Sequence, residues 1–166
     1  MLKLLEKEGL LKKKFLQVLN NMKIVIGSDH AGYKQKEVIK NHLIELGHEV
    51  YDVGTYSLDS CDYPIFGIAA AKEVSKGKAD YGILVCSSGE GIMMSANKVK
   101  GIRAGLAYND DVARLMREHN NANMIAFGAS FMKDEDVLRR VDIFLNTEFA
   151  GGRHERRVNE IIEIEK

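Results

Sequence analysis

A cysteine ends an apolar run, directly before a loop that could bind an anion. Cys86 closes the run Tyr81–Cys86, and Ser87–Gly91 follows with two hydroxyls, two glycines and a carboxylate. A helix that begins near Gly91 would direct its first backbone N–H groups and the positive end of its dipole into this loop. Because a helix N-terminus favours the thiolate form of a cysteine, the sulfur could act chemically. The alternative is a small buried apolar residue, the commonest environment of a free cysteine.

Two chemical roles are open to this sulfur. A base beside an oxyanion pocket suits the removal of a proton next to a carbonyl group, because the pocket stabilises the enediolate that forms. A nucleophile would instead need a histidine beside it, and His30 and His119 both lie near the ends of predicted strands. The loop is not a P-loop, since no Gly-Lys-Ser/Thr closes it, and it lacks the Gly-x-Gly opening of the dinucleotide fingerprint.

A second candidate cluster is the tail sequence GGRHERR. Arg153 and Arg157 are four residues apart, so on a helix they share one face. Two guanidinium groups on one face suit a phosphate dianion. The alternative is a solvated basic turn, or ion pairs with Glu155 and Glu160.

Two polar pairs follow predicted elements. Asp29 and His30 come after the first strand and could form a simple turn or place a carboxylate and an imidazole at the rim of the sheet. His119 and Asn120 end a helix, where they could also be ordinary caps. Cys61 is interpreted as a packing residue. No group of residues has the spacing of a zinc site, so we expect no metal.

Strands and helices alternate along the chain. Apolar runs predict five strands, at 23–27, 49–53, 81–86, 103–108 and 124–128. Residues at helical spacing predict helices between them and a terminal helix beyond Gly151 and Gly152. This alternation predicts an α/β fold with a parallel sheet, in which ligands bind outside the carboxyl ends of the strands. The polar residues named above follow those ends.

Composition narrows the function classes. The 166 residues are 45% apolar and 29% charged, which fits one domain with an ordinary core. The formal net charge is zero, so we expect neither nucleic acid nor an anionic membrane surface as a partner. Two cysteines without a CxxC pair indicate a reducing, cytoplasmic location.

The first 21 residues differ from the rest. They are rich in Lys and Leu and lack the continuous apolar core and the cleavage site of a secretory signal. We expect an N-terminal extension over 1–21, helical or disordered, and one domain over 22–166. The extension could be a surface or partner helix, or a segment upstream of a natural start at Met22.

Several motifs occur in order from Met22 onward: GSDHAGYKQKEVI, DYP, CSSGEGI with ANK, GIRAG, HNNAN and GGRHERRV. Their combination resembles the family of type B ribose-5-phosphate isomerases, which includes galactose-6-phosphate isomerase subunits. The resemblance implies a Rossmann-like three-layer sandwich with a five-stranded parallel sheet and a C-terminal helix. It also implies a homodimer or homotetramer with the active site at the subunit interface, and neither metal nor cofactor.

The resemblance further implies that a small sugar phosphate is the substrate and that ribose 5-phosphate and ribulose 5-phosphate interconvert through a cis-enediol. Cys86 matches the catalytic base, and Ser88 matches a residue that helps to open the sugar ring. Asp29 would bind sugar oxygens or assist ring opening, and His119 would act in ring opening from the partner subunit. The positions implied to bind substrate are His30, Arg153 and Arg157 for the phosphate, and Tyr63, Ser87, Gly89, Glu90, Gly91, Asn97 and Asn120 around the sugar and its loop.

Two positions depart from the family pattern. Ser87 replaces a usual glycine, and Ser130 stands where many members carry a phosphate-binding arginine. An isomerase of a six-carbon sugar phosphate, such as allose or galactose 6-phosphate, is therefore an alternative. A non-enzymatic flavodoxin-like binding module is another, although a receiver would need Asp and Lys where Cys86 and Gly128 stand.

Overall fold

The computed structural model describes residues 21–166, so the predicted extension, apart from its last residue, lies outside the described residues. The strands are β1 (Lys23–Ser28), β2 (Glu49–Asp52), β3 (Tyr81–Cys86), β4 (Ala104–Leu106) and β5 (Met124–Gly128). The helices are α1 (Tyr33–Glu45), α2 (Tyr63–Ser75), α3 (Glu90–Asn97), α4 (Asp110–Glu118), α5 (Asp134–Leu145) and α6 (Arg153–Glu163). No helix in this part of the chain is both long and apolar enough to cross a membrane.

All five strands are parallel, in the order β2-β1-β3-β5-β4. One apolar cluster joins the sheet to α1, α4 and α5, and a second joins its other face to α2 and α3. The predicted three-layer sandwich is therefore confirmed. The strand order reverses between β1 and β3, so the carboxyl ends of these two strands flank the place where such sheets bind ligands.

Element boundaries follow local chemistry. Asn109 caps α4, because its side-chain oxygen accepts the backbone N–H of Val112 at 2.8 Å. Pro64 lies in the first turn of α2, where its missing N–H costs nothing. β4 covers only Ala104–Leu106, shorter than predicted, because it is an edge strand that pairs with β5 alone.

A buried ion pair holds the start of the loop after β2. The Lys36 side chain is fully buried, and its Nζ lies 2.7 and 2.6 Å from the two carboxylate oxygens of Asp52. Burial alone would raise the pKa of Asp52, but hydrogen bonds from Lys36 and Lys40 outweigh burial and lower it. Asp52 also accepts the N–H of Gly54 at 2.9 Å, and its carbonyl accepts the Tyr56 hydroxyl at 2.8 Å.

A second ion pair joins α1 to α5. His42 Nε2 lies 2.7 Å from Asp142 Oδ1, and this hydrogen bond raises the pKa of His42 above its usual value against the opposing effect of burial. A raised pKa means that the pair stabilises the fold fully below the unfolded-state pKa of about 6.5, and that this stability is lost as pH rises through the folded-state pKa.

Asp142→Asn should therefore destabilise the protein more at mildly acid than at alkaline pH. We expect a deficit of at most about 1 kcal/mol near pH 6, because Asp142 is partly exposed, and a smaller one near pH 9. Urea unfolding of both proteins at several pH values measures this difference. A deficit that grows with pH would contradict the assigned pairing.

Candidate active site

The sulfur of Cys86 lies at the start of α3. Cys86 ends β3 with only 4% of its surface exposed, and its Sγ accepts the backbone N–H of Gly89 at 3.1 Å. Gly89 has a φ of +83°, and a Cβ there would lie 2.5 Å from Leu106 Cδ1 and 2.8 Å from the carbonyl carbon of Phe127. Only glycine fits this position, so the turn brings the sulfur within reach of the amides that begin the helix.

The turn after β5 supports the same loop. The N–H of Ala129 donates to the Cys86 carbonyl at 2.9 Å, and the N–H of Ser130 donates to the Ser87 carbonyl at 3.0 Å. The hydroxyls of Ser87 and Ser130 are 2.8 Å apart and hydrogen-bond to each other. Ser130 stands where the family resemblance predicts an arginine, and it instead hydrogen-bonds to the side chain of Ser87.

Further predicted residues lie at this carboxyl edge of the sheet. The N–H of Asp29 donates to the Val85 carbonyl at 3.3 Å, so the end of β1 lies beside the end of β3. The buried carboxylate of Asp29 accepts the N–H of Gly32 at 3.0 Å. Tyr63 packs on the loop, because a Cβ at Gly91 would lie 2.6 Å from its ring.

The loop Ser87–Gly91 has an exposed polar surface. The side chains of Ser88 and Glu90 are exposed, and the Ser88 hydroxyl accepts the N–H of Glu90 at 3.3 Å. The residues gathered at the carboxyl edge of the sheet are Asp29, His30, Tyr63, Cys86, Ser87, Ser88, Gly89, Glu90 and Gly91.

His30 has a neighbour that the sequence did not indicate. The backbone N–H of Cys61 donates to its Nδ1 at 3.2 Å, and the Cys61 thiol lies 3.9 Å from the same nitrogen. Both cysteines are free thiols. Cys61 is therefore more than the packing residue that the sequence suggested.

His119 belongs to a second cluster. It caps the C-terminus of α4, and its ring stacks on that of His154, with 4.1 Å between centroids. A cleft of about 390 Å³ between α4 and α6 is lined by both histidines, by Asn120 and Arg157, and by apolar side chains. Burial lowers the pKa of His154, and the charges of His119 and the nearby arginines lower it further.

His154 is a residue that the sequence reasoning missed. It shares the cleft-lining face of α6 with Arg157, Val158 and Ile161, at the spacing i, i+3, i+4 and i+7. The i, i+4 spacing of Arg153 and Arg157 predicted a functional face defined by those two residues alone. Arg153 does not line the cleft, although its charge reaches His154.

The helix α6 is attached to the fold at both ends. The N–H of Ala150, just before it, donates to the Glu118 carbonyl at 3.0 Å. Beyond it, the carboxylate of Glu165 accepts the N–H of Gly101 at 3.0 and 2.9 Å. Val158 is buried in the middle of the helix. These contacts place Arg157 beside the end of α4.

The two clusters lie at opposite edges of the sheet. Cys86 is in register with Gly128, at the carboxyl end of β5, whereas His119 comes just before Met124, where β5 begins. The five residues of β5 span about 13 Å. Within one chain, therefore, His119, Asn120 and Arg157 are not brought to Cys86.

Asn97 also lies away from the sulfur. It ends α3, and its side-chain amide both donates to the carbonyl and accepts the N–H of Ala104, at 2.9 and 2.8 Å. These bonds connect the end of α3 to the beginning of β4, so the observed role of Asn97 is structural. A role for Asn97 in substrate binding stays a prediction. In residues 21–166, no three His, Cys, Asp or Glu side chains are grouped to hold a metal ion.

Known proteins resemble this chain over most of its length. The family model described as Ribose/Galactose Isomerase matches residues 24–161. The chain is 42% identical over 144 residues to ribose-5-phosphate isomerase B of Escherichia coli, covering 87% of this chain and 97% of the relative. A probable ribose-5-phosphate isomerase B of Mycoplasma genitalium is 42% identical over 145 residues, which cover 86% and 95%.

Solved structures of ribose-5-phosphate isomerases B also superpose on most of this chain. Ribose-5-phosphate isomerase B of Clostridium thermocellum superposes with a TM-score of 0.86 at 49% identity, covering 87% of this chain and 97% of the other. The Mycoplasma genitalium enzyme, solved with bound ribulose-5-phosphate, superposes with a TM-score of 0.84 at 41% identity, covering 86% and 95%.

Gly128→Ala tests whether the turn after β5 shapes the loop. A Cβ there would lie 2.5 Å from the backbone carbonyl oxygen of Ser88, which must move. We expect a loss of about 1–3 kcal/mol in urea unfolding. Gly105→Ala is the matched control, because its Cβ would meet the flexible end of Met116 at 3.1 Å. Equal effects of the two substitutions would contradict the close contact.

Proposed function

Since the chain belongs to the ribose/galactose isomerase family, we propose that it interconverts ribose 5-phosphate and ribulose 5-phosphate with Cys86 as the base. Relatives with 42% identity have the name ribose-5-phosphate isomerase B, and a structural neighbour contains ribulose-5-phosphate. The observation that carries the proposal is the sulfur of Cys86, which lies 3.1 Å from the backbone N of Gly89, the residue that caps helix α3.

Cys86 moves one proton between two carbon atoms. As a thiolate it removes the proton from C2 of the open-chain aldose, and the electron pair left behind forms a cis-enediolate. The thiol then returns the proton to C1, and a proton passes between the two substrate oxygens, so that the ketose results. The Gly89 N–H donates to the sulfur, and amides of Ser87–Gly91 stabilise the enediolate oxygen.

The second cluster completes the site from another copy of the chain. His119 lies about one strand length from Cys86 in its own subunit, so its part in ring opening requires a partner. A symmetric dimer brings the carboxyl edge of one subunit to the α4–α6 cleft of the other, twice. Asp29 and Ser88 then act from one chain, and His119 and Asn120 act from its partner.

The phosphate is bound by groups from both subunits. His30 lies at the carboxyl edge, while Arg153 and Arg157 begin α6 at the other end of the chain. In the dimer, one imidazole and two guanidinium groups converge on the phosphate dianion. Tyr63 covers the sugar side of the loop. We place the protein in the cytoplasm, because Cys86 must stay reduced to act as a base.

The two alternatives receive less support. A six-carbon substrate is suggested only by Ser130, which stands where many family members carry an arginine and whose exposed hydroxyl bonds to that of Ser87. A binding module without catalysis does not require the sulfur at the helix N-terminus. Pentose and hexose phosphates, assayed side by side, distinguish the first alternative.

Cys86→Ala should lower turnover about 10²- to 10⁴-fold, the usual contribution of a general base. The variant should still bind ribose 5-phosphate, because the loop amides and phosphate ligands remain. A coupled assay measures turnover, and a thermal shift with the substrate measures binding. Wild-type turnover in Cys86→Ala would assign the proton transfer to another group.

Two inactive variants should restore activity when mixed. Cys86→Ala and His119→Ala each disable both sites of a homodimer, but a mixed dimer has one site with both residues intact. Unfolding and refolding an equal mixture should recover about a quarter of wild-type activity, since half of the random dimers are mixed and each holds one intact site. Refolding each variant alone is the control. No recovery in a mixture shown to contain mixed dimers would mean that the site is not shared.

A further inference from the structure

We propose that the main chain of Cys61 holds His30 as the neutral tautomer with its proton on Nε2, so that the imidazole presents one N–H donor to the phosphate. This inference rests on the proposed function for the identity of the ligand. The assignment of the tautomer itself depends only on contacts of the substrate-free chain.

The two polar groups at Nδ1 of His30 can both donate. The Cys61 backbone N–H, 3.2 Å away, cannot accept a hydrogen bond at all. The Cys61 thiol, 3.9 Å away, can donate weakly. A proton on Nδ1 would point at the backbone N–H and lose this bond. In the neutral ring the proton therefore lies on Nε2.

No carboxylate of residues 21–166 forms an ion pair with His30. Among residues 21–166, the ion pairs that include a histidine are His42 with Asp142 and His119 with Glu118. The neighbouring carboxylate of Asp29 accepts the N–H of Gly32 instead. No described residue forms a hydrogen bond with Nε2 of His30, so that atom is left for a ligand.

The amide that orients His30 is itself held in place. The loop 53–62 follows Asp52. The Asp52 carboxylate accepts hydrogen bonds from the buried Lys36 ammonium group and from the N–H of Gly54. The loop ends at α2, where the Asp62 carbonyl accepts the N–H of Ile65 at 3.3 Å. Cys61 is thus positioned from both sides, and it acts on the phosphate through His30 as a positioning residue.

An N–H donor at a fixed ring nitrogen has a specific use in this site. It supplies one directed hydrogen bond to one phosphate oxygen, while Arg153 and Arg157 supply the positive charge. A tautomer fixed before binding also removes the need to select between two ring states when the substrate arrives.

Ring-nitrogen NMR tests the tautomer directly. A protein labelled with ¹⁵N in its histidines is examined without substrate at about pH 8.5, roughly two units above the ordinary histidine pKa. His30→Asn identifies the signals of His30. We expect Nδ1 to resonate as an unprotonated nitrogen and Nε2 as a protonated one. A protonated Nδ1, or the averaged pattern of a free imidazole, would overturn the proposal.

Two substitutions at residue 61 separate the amide from the thiol. Cys61→Pro removes the N–H, whereas the matched control Cys61→Ala keeps it and removes only the sulfur. We expect averaged tautomers and a KM for ribose 5-phosphate about three- to tenfold higher in Cys61→Pro than in Cys61→Ala, with a smaller change in kcat. Identical His30 spectra in the two variants would refute the role of the amide.

The wild-type spectrum keeps the proposal falsifiable even if Cys61→Pro fails to fold, because a protonated Nδ1 refutes it without any variant. A result that refutes the proposed function can be distinguished from a result that refutes this tautomer. A protein without isomerase activity but with Nε2–H at His30 would refute the reaction and support the tautomer. An active isomerase with Nδ1–H would do the opposite.

Discussion

The hydrogen bond from the Gly89 N–H to the Cys86 sulfur connects the fold to its proposed chemistry. It forms because the chain turns with positive φ directly after a buried strand, at a residue where Leu106 and Phe127 leave no room for a side chain. The strand fixes the position of the sulfur, and the turn places it beside the N-terminus of α3. The proposed proton transfer and anion stabilisation both depend on that turn.

The parallel sheet imposes the next constraint. Because all strands point the same way, residues that follow strands and residues that follow helices collect at opposite edges. Cys86 belongs to the first group and His119 to the second, and Arg157 of α6 lines the cleft beside His119. In the proposed site each edge supplies one half, and association of two copies is the simplest way to join the halves.

Local patterns predicted the fold and the loop around Cys86 well, because strand runs, helix periods and turn glycines are properties of neighbouring residues. The stacking of His154 on His119 was missed, since it joins two helices 35 residues apart in sequence. The contact of Cys61 with His30 was missed for another reason. It is made by a backbone N–H, which every residue except proline carries, so the side-chain type gave no signal.

The distance between the two edges also bears on how such a sequence evolves. In a shared pocket, substitutions near Cys86 and substitutions near His119 are selected together, although the two residues are not neighbours within one subunit. Correlated substitutions at these positions would then be misread as a contact within one chain. A coevolution map of relatives that shows pairs one strand length apart would record the geometry of the dimer.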